Sequence, residues 1–117
     1  MEWLFMNDRD LTYLQNMYGF AKRVKRRITD VSMTDFLVNE DIQDPVLYAI
    51  GQIGENANSV SEETRDKYHD ILWNELVGVR NRVFHSYGDI NMRIIYNVAT
   101  TSITQLILQL ESIEGVV

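Results

Sequence analysis

Apolar residues recur at spacings of three and four along almost the whole chain, and that rhythm belongs to packed helices. Val46, Ile50, Ile53, Ala57 and Val60 step by four, three, four and three, a stripe of the bundle type. Leu11, Leu14, Met17, Tyr18, Ala21, Val24 and Ile28 trace one face of another helix. A single proline and six glycines are too few for the many turns of a sandwich or barrel. With no cysteine, a disulfide framework, a thiolate zinc site and a cysteine nucleophile are all excluded. These features predict an all-α, antiparallel helical bundle formed by one domain over residues 1–117, with residues 1–8 as a flexible N-terminal extension.

Four long helical stretches follow from the pattern, over about 10–28, from 42 to about 60, 71–87 and 91–112. Ser32 with Asp35, and Ser61 with Glu62 and Glu63, open short turns between them. Pro45 is placed in the first turn of the second stretch, where its missing N–H has no helical partner to lose. Gly51 and Gly54 lie on the flank of that helix and weaken it, which predicts another helix passing close by or a backbone approached by something else. In the last stretch Ile95, Val98, Ala99, Ser102, Ile103, Leu106, Leu110 and Ile113 form the inner stripe. Ile94, Ile107 and Leu108 widen it beyond one partner's needs, which points to a subunit interface.

Seventeen acidic residues against eleven basic ones give a net charge of -6. Five of the basic ones, Lys22, Arg23, Lys25, Arg26 and Arg27, fall within six positions, so the rest of the chain carries six against seventeen. This is an acidic body with one basic patch: either a solvated helix end whose cations favour the C-terminal dipole, or a surface facing phosphate. No secretory leader is recognisable, Met6 opens a stretch that resembles an alternative start, and no window is apolar enough to span a membrane. A cytoplasmic protein is expected.

One residue breaks the apolar pattern. On a helical wheel centred on Arg80, the side chains of Trp73, Leu76, Val77, Val83, Phe84 and Tyr87 all fall within about 60°. A guanidinium in an apolar stripe must be paired, snorkelling or lining a polar cleft. Asn81 and His85, four residues apart, flank it. A guanidinium grips a phosphate with two prongs and stabilises charge building on its oxygens. A histidine exchanges protons near neutrality, and the amide can orient either group. Together they are the parts for cleaving RNA by attack of its own 2′-hydroxyl without a metal. The same spacing also fits a purely structural arrangement, with Arg80 paired to a carboxylate such as Glu55 and His85 capping the helix end. His69, in a polar stretch, reads as a solvated surface residue. Met17, Met33 and Met92 read as packing.

The run Arg80-Asn81-Arg82-Val83-Phe84-His85-Ser86-Tyr87 resembles the signature of HEPN ribonucleases, and the tyrosine two residues after the histidine resembles the HepT toxin branch. Asp35-Phe36-Leu37, Gln43-Asp44, Ile53-Gly54-Glu55-Asn56-Ala57-Asn58, Leu72-Trp73, Gly88-Asp89-Ile90 and Ile94-Ile95-Tyr96 agree in order, so the resemblance covers roughly residues 9–113. Pro45 and Ser86 depart from the family's commoner small helix former and glycine.

The resemblance implies a HEPN-like helical homodimer in which Arg/His sets from both chains meet in a cleft. It implies a toxin ribonuclease acting on tRNA or mRNA, with no cofactor and no metal. Arg80 would hold the scissile phosphate, His85 would transfer protons and Asn81 would support them. Tyr87 would be the hydroxyl onto which a partner MNT-type nucleotidyltransferase antitoxin places AMP, blocking the cleft. Lys22, Arg23, Lys25, Arg26 and Arg27 would then follow the RNA backbone. The rival is a non-catalytic HEPN-type module that binds a nucleotide or a nucleotidyltransferase without cutting RNA.

Overall fold

The computed structural model describes residues 6–85 and 87–117, and at Tyr87 the backbone alone. Among these residues every regular element is helical. The first helix, α1 (Asp8–Ile28), is amphipathic, with Leu14, Met17, Ala21 and Val24 fully buried. The Asn7 side chain caps it by accepting from the Asp10 N–H. Residues 6–8 are therefore no extension: Met6 packs against the core, Asn7 is the cap and Asp8 opens the helix. Residues 1–5 lie outside the described chain. Asp30, at φ 63°, turns the chain into α2 (Met33–Val38), which Ser32 caps.

The next helix, α3 (Glu40–Ser59), starts two residues before its apolar pattern does, because Asn39 supplies a cap by accepting from Asp41 N–H. Pro45 thus sits beyond the first turn, not within it. There its ring withholds the donor that a regular helix would offer the Asp41 carbonyl. After α4 (Glu62–Lys67) come α5 (Trp73–His85) and a 3-10 turn at Tyr87–Asp89. The closing helix comprises α6 (Met92–Asn97), a π-helical segment Val98–Ser102 and α7 (Ile103–Glu111). Regular spacing put Ser102 on the inner stripe. It is exposed, because the wider π turn breaks the three-four spacing there.

Cross-links between helices define how they run. Asn16 donates to Asn56 at 3.0 Å and Phe20 meets Tyr48 edge-on at 6.2 Å, so α1 and α3 are antiparallel. Tyr18 donates to Glu111 and Gln15 to the Gly115 carbonyl, which lays the last helix antiparallel along α1. At the base, Phe36 is fully buried against Tyr96, whose hydroxyl donates to the Val31 carbonyl at 2.6 Å. Phe36, Leu14, Met17, Ile53, Ile103 and Leu110 are among the largest fully buried side chains and form the core.

Both glycines of α3 mark where α5 crosses. A Cβ on Gly54 would stand 2.3 Å from the Arg80 Cβ and 2.5 Å from the Leu76 carbonyl oxygen. One on Gly51 would meet the Phe84 ring at 2.7 Å. The close approach expected from these two positions is thus made by the helix that carries Arg80.

Candidate active site

The antiparallel crossing of α3 and α5 delivers Arg80 to Glu55. Nε and Nη2 of Arg80 each lie 2.7 Å from Glu55 Oε2, and Nη1 donates to Asn81 Oδ1 at 2.6 Å. A guanidinium has five N–H groups. Three of these contacts leave two N–H groups, one each on Nη1 and Nη2, for another acceptor. The Arg80 side chain is 22% exposed. The apolar stripe tolerates this arginine because Glu55 and Asn81 satisfy its buried side while its stem lies along Phe84, with the guanidinium carbon 5.5 Å from the ring centroid. Sequence reasoning named Glu55 as a possible structural partner, and that pair exists. It leaves the arginine able to bind an anion as well.

His85 is the last residue of α5 and is exposed. It lies about 7.5 Å along the helix and about 140° round it from Arg80, with Asn81 between them. One chain therefore brings Arg80 and Asn81 together but does not aim His85 at the same point. The Tyr87 side chain lies outside the described residues, although its backbone follows in the 3-10 turn. His69 is exposed beside Asp70, as its polar surroundings suggested.

The basic run is divided by the helix that bears it. Lys22 turns toward α7, lying 5.9 Å over Tyr18, whose hydroxyl is bonded to Glu111. Arg23 pairs with a different ring, its guanidinium carbon 5.0 Å from Phe20, which meets Tyr48 of α3. Lys25, Arg26 and Arg27 are exposed in the last turn, where cations favour the helix dipole. Among the described residues, no three His, Asp or Glu side chains gather into a metal-binding group, and no helix is long and apolar enough to cross a membrane.

The model of the family described as ribonuclease HepT-like matches residues 17–113 of the chain. A relative from Caldanaerobacter subterraneus subsp. tengcongensis, named a putative RNase, is 26% identical over 86% of this chain and 90% of its own. Another of that description, from Methanocaldococcus jannaschii, is 25% identical over 91% of this chain and 98% of its own. A probable ribonuclease HepT from Thermococcus cleftensis is 21% identical over 80% and 86%. No solved structure matches the chain significantly.

Proposed function

Because the chain belongs to the ribonuclease HepT-like family, we propose that it is the metal-independent endoribonuclease toxin of a toxin–antitoxin pair, cutting tRNA or mRNA at a cleft between two copies. The observation that carries this reading is Arg80. It is held by Glu55 and Asn81, yet two of its N–H groups are left over from these contacts on a partly exposed side chain. A positioned guanidinium stabilises the charge that builds on a phosphoryl group in the transition state. In the reaction, the 2′-oxygen forms a bond to phosphorus and the bond to the 5′-oxygen breaks, leaving a 2′,3′-cyclic phosphate and a 5′-hydroxyl. One proton leaves the 2′-hydroxyl and one reaches the departing 5′-oxygen, and His85 serves this exchange.

Two features support a dimeric site. The separation of His85 from Arg80 round α5 is resolved if a second copy supplies the complementary group. Leu72, before α5, and Ile94 and Leu108 of the closing helix are each about half exposed or more, apolar surface that a second copy would cover. Tyr87 comes two residues after the end of α5, so an AMP placed on its hydroxyl by a nucleotidyltransferase would bring a bulky anion to the same end of the helix, competing for the cations there. Phosphate of the nucleotide would bond to the tyrosyl oxygen as pyrophosphate leaves ATP.

The test is cleavage of a tRNA and mRNA pool in EDTA by unmodified, dimeric protein and by His85→Ala. We expect cutting by the wild type and a loss of about 10²–10⁴-fold in the variant, with circular dichroism unchanged. A silent wild type would instead favour a non-catalytic module that binds a nucleotide or a nucleotidyltransferase. Incubation with the cognate nucleotidyltransferase and ATP is expected to add AMP to the wild type and none to Tyr87→Phe, read by intact mass.

A further inference from the structure

The outward ridge of α3 carries Tyr48, Gln52 and Glu55, which share one side of the helix over about 10 Å. Helix α1 flanks this ridge on one side and α5 on the other, and each contributes an arginine over an aromatic ring. On the α1 side Arg23 lies over Phe20, and Phe20 meets Tyr48 edge-on at 6.2 Å. On the α5 side Arg80 lies over Phe84, which packs on Gly51 one turn from Tyr48. Tyr48 is 55% exposed and Phe84 41%, a large aromatic surface for a chain of this size to leave in water.

Aromatic faces bracketed by guanidinium groups bind unpaired bases by stacking while the cations take the phosphates. We infer that Tyr48, with Phe20 against it and Phe84 packed one turn along α3, is a stacking platform for single-stranded RNA, receiving bases next to the phosphate held at Arg80 and passing the strand toward Arg23 and Arg27. The path crosses α3 at Tyr48 instead of following it, because Asp41 lies on the same side nearer the helix start and repels phosphate. Lys22, turned toward α7, is off this path. The inference rests on RNA being the substrate and adds how the strand is seated. Duplex RNA, its bases already stacked and paired, gains nothing from such a platform.

The experiment measures binding of a single-stranded oligouridylate to the His85→Ala chain, alone and with Tyr48→Leu or Tyr48→Phe added. Tyr48→Leu is expected to weaken binding about tenfold, and Tyr48→Phe to stay within about twofold of the parent, since a ring is what stacking requires. Sedimentation should show the same oligomeric state for all three. Equal affinity of Tyr48→Leu and the parent would overturn the platform, as would a weakening that follows a change in oligomeric state. Cleavage of the same RNA by the chain with His85 intact is read separately. Cutting with no Tyr48 effect leaves the ribonuclease reading standing and removes the platform, whereas a Tyr48 effect without cutting does the reverse.

Discussion

Gly54→Val is expected to lower both stability and activity, the latter by more than the stability loss explains. The first added carbon alone would overlap the Arg80 Cβ at 2.3 Å and the Leu76 carbonyl oxygen at 2.5 Å. The second of these is backbone, so a side-chain rotation cannot relieve it and α5 must move away from α3. Overpacking of this kind costs about 1–3 kcal/mol or more. The same movement pulls Arg80 from Glu55, and a catalytic group misplaced by about 1 Å can lose about 10² in rate. Urea unfolding and RNA cleavage, measured under conditions where the variant is still folded, separate the two effects. A variant that loses stability but cuts RNA at the wild-type rate would show that the close approach of α5 is needed only for folding. Gly51→Ala is the milder comparison, since the atoms it meets first belong to the Phe84 ring.

The second large effect is expected at Asp10, a buried carboxylate far from Arg80. Its oxygens accept from the Ser61 N–H at 3.0 Å, the Thr64 hydroxyl at 2.6 Å, the Ser61 hydroxyl and the Asn7 amide at 3.1 Å. This one side chain ties the start of α1 to the start of α4. Asp10→Ala strands those donors, and loss of hydrogen bonds to a buried charge should cost about 3 kcal/mol, or about 10 °C in Tm. Burial pushes the Asp10 pKa up, but the hydrogen bonds from Ser61, Thr64 and Asn7 outweigh it and hold the carboxyl below its ordinary value. The sign follows from linkage: the stabilisation is fully present above the unfolded-state pKa and is lost as pH falls through the lower folded value. The wild type should therefore lose part of its stability in acid below about pH 4, and Asp10→Asn should lose less over the same interval. Identical acid profiles for the two proteins would contradict the assignment.

Particular residues show where local pattern suffices to read such a chain. The stripes of α1 and α3 are legible because each helix buries one continuous face, and strict spacing of three and four is what that requires. Gly51 and Gly54 foretold a crossing helix, since two helix-weakening residues on one flank have few other uses. Pro45 falls beyond the first turn because the start of α3 is set, two residues ahead of the apolar pattern, by the Asn39 cap, a polar signal outside that pattern. Ser102 was misassigned because a π turn leaves no mark in the spacing of side chains.

At the site, Arg80 is visible as a cation inside an apolar stripe, and Glu55 as its partner, because both rest on helical register. The role of Asp10 is not visible, since its donors Ser61 and Thr64 stand more than fifty residues away. The pairing of Phe20 with Tyr48 escapes notice for the same reason, as it exists only once α1 and α3 are laid together. The proposed modification of Tyr87 is carried by the family resemblance.

The pairing of Arg80 with Glu55 has a consequence for what the protein ignores. A bare guanidinium in a cleft would be occupied by whatever small anions its surroundings supply, inorganic phosphate and free nucleotides among them. One already paired with a carboxylate on two of its nitrogens attracts a stray ion less than a bare one does, and the acidic body around it adds to the discouragement. A ligand that brings only charge gains little there. A long polymer, able to add many weak contacts along its length, would still outcompete the bystanders, and the salt bridge would then act as a filter on ligand size.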